Sequence, residues 1–114
     1  MRPRHGCLAI ADLQPRTGTE AGKVRPVLVI QSDLLNEAGH LSTWILPCTT
    51  RLTGDSLLRV PLAQGAAGND EAFEILVDQP RAIDNRRFKR DLGPVPDAVL
   101  QAVKHRLRLL GELG

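Results

Sequence analysis

Short apolar runs separated by polar segments rich in glycine and proline make up most of the chain. The run at 26–31, "PVLVIQ", is composed of aliphatic and β-branched residues, as is typical of a strand buried on both faces. Similar runs predict further strands at residues 7–13, 42–48, 57–62 and 74–78. Strands at this spacing, with turn signals between them, favour a small barrel or a half-open sheet.

The pattern becomes helical towards the C-terminus. "PDAVLQAVKHRLRLLGELG" places five apolar residues on one helical stripe: Val99, Leu100, Val103, Leu107 and Leu110. Pro96 and Asp97 suit a first turn, and Gly111 suits a C-cap. We therefore predict an amphipathic helix packed against the sheet, and a shorter helical turn over 33–39.

Length and composition indicate a globular protein. The 114 residues fit a single domain, 1–114, that is 42% hydrophobic and 25% charged. The formal charge of +2 says little about partners. Aromatic residues are 3% of the chain, with no Tyr, which excludes a surface that stacks many bases.

Cysteine usage and hydropathy favour the cytoplasm. Cys7 and Cys48 are the two cysteines, without a CxxC spacing, so we expect free thiols and no zinc site, although a single bridge between them stays open. We find neither a signal peptide nor an apolar run of the roughly 18 residues that a membrane span requires. We expect no metal and no cofactor.

Arg25 precedes a strand that is predicted to be buried. Strand alternation puts Arg25 and Val27 on one face of the sheet, next to the loop over 14–24. A half-buried guanidinium requires an anionic partner. Glu20 and Asp78 are possible internal partners, and a phosphate is a possible external one, because the planar guanidinium matches it in bidentate geometry.

Polar side chains also stand at two other strand ends. "ILPCTT" at 45–50 ends in the hydroxyls of Thr49 and Thr50, and "VDQPRAID" at 77–84 carries three polar candidates, Asp78, Gln79 and Arg81. Binding and catalytic residues are often found at such transitions from strand to loop.

Four other features have competing interpretations. Arg81 belongs to a basic run, "PRAIDNRRFKR", which is either a solvated face or a rim that attracts RNA. Trp44 lies among apolar neighbours, so we expect it in the core rather than stacked on a base. Cys48 beside Thr49 is a weak candidate nucleophile. The histidines, His5, His40 and His105, are expected to be exposed or structural.

Taken in order, these segments resemble the MazF/PemK toxins of bacterial toxin–antitoxin pairs. The resemblance is carried by "LQPRTGTEAGKVRPVLVIQSD", then "ILPCTT", then "VDQPRAIDNRRF", then the amphipathic helix. It is collinear and covers nearly all of the chain. It implies a mainly β (α+β) fold, a small SH3-like β-barrel with short helices and a C-terminal helix.

The resemblance also implies function and partners. Such toxins are homodimeric endoribonucleases that cut single-stranded RNA, mostly mRNA, at selected sequences without a metal. A small antitoxin neutralises them by laying a disordered tail across the RNA groove. The implied reaction is attack by the 2′-hydroxyl of the RNA on the adjacent phosphorus. The resulting cleavage of mRNA inhibits translation and growth.

Site residues follow from the matched motifs. Two catalytic styles, that is, two alternative sets of catalytic residues, occur in the family. The first is an arginine and a threonine, which align with Arg25 and Thr49, and the second is a histidine, an arginine and an aspartate. Thr19 and Leu76 stand where the second style has its histidine and its extra arginine. We therefore predict Arg25 and Thr49 as catalytic residues. The predicted RNA-binding residues are Thr19, Glu20, Asp78, Gln79 and Arg81.

Two alternatives belong to other functional classes. The first is a non-catalytic barrel toxin that binds a protein target such as DNA gyrase, suggested by the absence of the second catalytic style. The second is an inert relic that only binds antitoxin, which the presence of Arg25 and Thr49 disfavours.

Overall fold

The structure, a computed structural model, describes residues 1–14 and 23–114. Strands outnumber helices among the described elements, and the longest helix is at the C-terminus. The elements in chain order are β1 (Cys7–Asp12), β2 (Val24–Val29), α1 (Asp33–Glu37), β3 (Ser42–Thr49), β4 (Arg59–Leu62), β5 (Phe73–Leu76), β6 (Arg81–Asp84), a 3-10 turn (Asn85–Arg87), β7 (Phe88–Pro94) and α2 (Asp97–Gly111).

All strand pairs are antiparallel, and β3 is the centre of the sheet. The strand order is β4-β5-β3-β2-β1-β7, and β6 also pairs with β3. Among the described strands, no backbone ladder joins β4 to β7. Instead, the turn after β4 packs on β7: a Cβ added at Gly93 would lie 3.3 Å from the carbonyl oxygen of Ala67. The prediction of a mainly β fold with a C-terminal helix is confirmed.

Apolar side chains form a cluster on each face of the sheet, because neighbouring residues along a strand point to opposite faces. The larger cluster is covered by α2, whose Val103 is fully buried. The smaller cluster lies on the face to which Arg25 belongs by strand alternation. Its members are Ala9, Ala11, Leu13, Val27, Val29, Ile45 and Ile83, with Phe88 packed against them.

Two strands were missed by the sequence analysis. β6 contains four residues with a charge at each end, and β7 carries three consecutive charged residues, so neither shows a clear apolar alternation. The structure stabilises them by pairing, β6 with β3 and β7 with β1, rather than by burial of every second side chain.

Two details of the prediction were wrong. Trp44 is 61% exposed and lies near the start of β3, where it borders a groove at the end of α2 instead of the core. α2 is capped by Glu112 in the left-handed conformation (φ 53°), so Gly111 is the last helical residue and not the cap. No helix in the described part of the chain has the length and apolar character needed to cross a membrane.

Candidate active site

Arg25 lies at the end of the β2–β3 ladder. Its Nη1 donates a hydrogen bond to the carbonyl oxygen of Cys48, 3.2 Å away, and its side chain is half-buried. The ladder pairs Val27 with Pro47, and the same register extended by two residues places Arg25 opposite Thr49. The arginine is therefore half-buried at the end of the β2–β3 ladder, in register with Thr49.

Thr49 is the last residue of β3 and is half-buried. Its Oγ1 accepts a hydrogen bond of 3.1 Å from the backbone N–H of Arg51. A threonine hydroxyl has one donor and two acceptor positions, so this contact orients the oxygen and leaves the hydroxyl proton able to point to an external acceptor.

Glu74 holds the segment that follows Thr49. It pairs with Thr49 in the β3–β5 ladder and is 5% exposed. Its carboxylate accepts from Arg59 Nη1 at 2.9 Å and from the backbone N–H groups of Thr53 and Gly54. The hydrogen bond from Arg59, followed by those from the two N–H groups, lowers the pKa of Glu74 to about 2.

Sequence reasoning missed both Glu74 and Arg59. Glu74 lies in the otherwise apolar "FEILV", and a carboxylate inside such a run signals a paired buried charge. Arg59 opens β4 and alternates with the buried Val60 and Leu62, so it looks like a solvent-facing residue until the fold places it beside Glu74.

Arg81 lies on the same face of the sheet as Arg25, beside the middle of β3. It pairs with Ile45 and is half-buried. Ile45 precedes Thr49 by four residues, which corresponds to about 13 Å along a strand. Arg81 therefore lies apart from the pair formed by Arg25 and Thr49.

The other predicted RNA-binding residues are placed differently. Asp78 is exposed and borders a separate groove that contains Trp44 and the end of α2. The backbone N–H of Gln79 closes a turn to the carbonyl oxygen of Leu76. Thr19 and Glu20 lie outside the described residues.

The basic run after β6 divides into two parts. Arg86 pairs with Asp84 at 3.0 Å, and Arg87 donates to the carbonyl oxygens of Asp12 and Gln14, so both arginines have partners within the fold. Lys89 and Arg90 are exposed. Arg90 also borders a cleft of about 180 Å³, together with Pro26 and Thr50.

Cys48 does not have the properties of a nucleophile. Its side chain is fully buried in the larger core cluster, and burial raises the pKa of its thiol. A protonated, inaccessible thiol is unreactive. Both cysteines are buried and free, and the described residues contain no group of three His, Cys, Asp or Glu side chains that could hold a metal ion.

Known proteins share this order of strands and helix. The family model of the PemK-like, MazF-like toxins of type II toxin–antitoxin systems matches residues 4–111. The chain belongs to this family. Within it, the chain is 30% identical over 104 residues to the endoribonuclease MazF of Staphylococcus saprophyticus, an alignment that covers 90% of this chain and 85% of that protein.

Solved structures of the MazF family share the fold. The crystal structure of MazF from Deinococcus radiodurans superposes with a TM-score of 0.83 and 29% identity, covering 97% of this chain and 98% of the other. MazF in a MazE–MazF structure from the same organism gives a TM-score of 0.78 with 28% identity and covers 100% and 99% of the two chains.

Proposed function

We propose that residues 1–114 form one toxin domain that cleaves single-stranded RNA, mostly mRNA, at selected sequences without a metal ion. The observation that carries this proposal is the position of the Arg25 guanidinium at the end of β3. There it donates a hydrogen bond to the carbonyl oxygen of Cys48, the residue before Thr49. The named endoribonuclease activity of the Staphylococcus saprophyticus relative supports it.

The proposed reaction uses the ribose of the substrate as the source of the nucleophile. The 2′-oxygen attacks phosphorus, the bond from phosphorus to the 5′-oxygen breaks, and the products are a 2′,3′-cyclic phosphate and a 5′-hydroxyl. Arg25 binds the phosphate and stabilises the charge that develops on its oxygens, and Thr49 donates a hydrogen bond to one of them. The 2′-hydroxyl proton passes to a base, and the departing 5′-oxygen takes up a proton from water. Of the two sequence candidates for the base, Asp78 borders the separate groove at Trp44, so we favour Glu20.

Substrate binding is proposed to extend from this pair. Arg81 supplies a second cation on the same sheet face. Thr19, Glu20, Asp78 and Gln79 remain predicted RNA contacts on the basis of the family motifs.

The proposed protein partner is a cognate antitoxin whose disordered tail crosses the RNA groove. MazE–MazF structures from Deinococcus radiodurans and a mycobacterial endoribonuclease in complex with its cognate antitoxin, both with this fold, support the existence of such a partner. Because mRNA is the proposed substrate, we place the protein in the cytoplasm.

We further propose that the toxin is a homodimer, and that the second copy covers the groove around Trp44. This groove has a volume of about 600 Å³. Two of the residues that line it are largely exposed to solvent, Trp44 at 61% and Leu113 at 64%. Exposed apolar surface of this kind marks a contact site.

Fluorescence of Trp44 tests the dimer without a label, because the chain has one Trp and no Tyr. We expect sedimentation at micromolar concentration to show a dimer, and acrylamide to quench the tryptophan weakly. Leu110→Lys, at the groove, should yield a monomer with strong quenching. A wild-type monomer, or strong quenching in the dimer, would show that this face is not the interface.

Incubation of the purified protein with single-stranded RNA in EDTA tests the activity. We expect fragments with defined ends, which disappear when antitoxin is added. Intact RNA together with trapped DNA–gyrase cleavage complexes would instead establish the non-catalytic alternative.

A further inference from the structure

The segment between β3 and β4 is attached to Glu74 at its centre. Both carboxylate oxygens are used: Oε1 accepts from the backbone N–H of Thr53 at 3.1 Å and from Arg59 at 2.9 Å, and Oε2 accepts from the N–H of Gly54 at 3.0 Å. The Thr53 hydroxyl adds a contact of 3.3 Å to Oε1. A carboxylate with these partners fixes the backbone of the segment in one position.

Arg59 links this carboxylate to Thr49. Besides Glu74, its Nη1 donates to the carbonyl oxygen of Arg51 at 2.8 Å. The N–H of the same residue, Arg51, donates to the Thr49 hydroxyl oxygen at 3.1 Å. Glu74, Arg59 and Arg51 therefore form a continuous set of hydrogen bonds that ends on Thr49.

The outer part of the segment is attached elsewhere. Asp55 accepts from the N–H groups of Leu57 and Leu58, and Arg106 of α2 donates to the carbonyl oxygen of Ser56 at 2.8 Å. Loss of the Glu74–Arg59 contact would therefore release the backbone near Thr49 without detaching the whole segment from the fold.

We propose that Glu74 and Arg59 are positioning residues that hold the Thr49 hydroxyl in the direction needed for catalysis. Neither touches the substrate; they act through Arg51. The inference rests on the proposed function, since it assumes that Thr49 contacts the scissile phosphate. A hydroxyl held in one orientation does not have to be reoriented during the reaction, and a displacement of about 1 Å at such a group can cost on the order of 100-fold in rate.

A double-mutant cycle separates positioning from general stability. We expect Glu74→Gln to lower kcat by about tenfold, with KM changed less than twofold. In a Thr49→Ala background, the same substitution should have no further effect on kcat, because the hydroxyl that it positions is gone. Arg59→Gln should behave in the same way, and Arg59→Lys should recover part of the rate.

Asp84→Asn is the matched control. The hydrogen bond from Arg86 lowers the pKa of Asp84 to about 2, as Arg59 does for Glu74. Asp84, however, pairs with Ser42 at the opposite end of β3. Ser42 and Thr49 are seven residues apart, which corresponds to about 23 Å along the strand. We expect this variant to cleave RNA at the wild-type rate.

The pH profile adds a second readout. With a pKa of about 2, Glu74 stays ionised from pH 5 to 8, so Glu74→Gln should lower the profile without moving its midpoints. Equal losses in kcat with and without Thr49 would overturn the inference while leaving the nuclease proposal intact. If the wild-type protein cleaves no RNA, the proposed function itself fails.

Discussion

Arg25→Ala is expected to lower the rate of RNA cleavage by about 10²–10³-fold, the usual loss when one group that stabilises transition-state charge is removed. The structure places this guanidinium at the end of β3, where its Nη1 lies 3.2 Å from the Cys48 carbonyl oxygen. Single-turnover cleavage of a labelled RNA oligonucleotide measures the loss. The melting temperature should change little, because the side chain lies at the end of the sheet and not in either core.

Two variants define what the rate loss means. Arg25→Lys keeps the charge but not the planar fork, so we expect an intermediate rate. Arg4→Gln removes the same charge from an exposed pair with Asp91, 3.1 Å apart, and should cleave at the wild-type rate. If Arg25→Ala cleaves as fast as Arg4→Gln, the guanidinium has no role in the reaction.

Thr49→Ala is expected to have the second largest effect. A hydrogen bond to a charged group contributes about 1.5–3 kcal/mol, which corresponds to a loss of roughly 10- to 150-fold in rate if the bond forms only in the transition state. The loss should appear in kcat, measured over a range of RNA concentrations, with KM nearly unchanged.

Thr49→Ser and Thr49→Val separate the hydroxyl from the shape of the side chain. Serine retains the oxygen that accepts from Arg51, and should keep most of the activity. Valine has nearly the same volume as threonine without the hydroxyl, and should be as slow as alanine. Activity in the valine variant close to that of wild type would contradict a role for the hydroxyl.

Much of the fold could be predicted from the sequence because its central strands are buried on both faces. The run at 26–31 corresponds to β2, and the run at 42–48 to β3. β6 and β7 were not predicted, since backbone pairing with neighbours distant in sequence stabilises them. Trp44 was misplaced for a related reason: its exposure depends on where α2 ends over the sheet, and no local pattern specifies that.

The candidate site was only partly accessible from the sequence. Arg25 was recognisable as a charge beside a buried strand, and the structure brings it to Thr49, with which it shares no local pattern, through the β2–β3 register. Glu74 was hidden in an apolar run, and Arg59 looked solvent-facing. Their pairing depends on the β4–β5 ladder, which places Arg59 opposite Leu76, two residues from Glu74.

The central claim is that a guanidinium beside a threonine hydroxyl promotes attack by the substrate's own 2′-oxygen. Its most direct test is cleavage, in EDTA, of an RNA oligonucleotide with a single 2′-deoxy substitution at the nucleotide 5′ to the mapped cut. We predict that the all-ribose oligonucleotide yields a 2′,3′-cyclic phosphate and a 5′-hydroxyl, and that the substituted one stays intact at that position. Cleavage of the substituted strand at the same rate would contradict the mechanism.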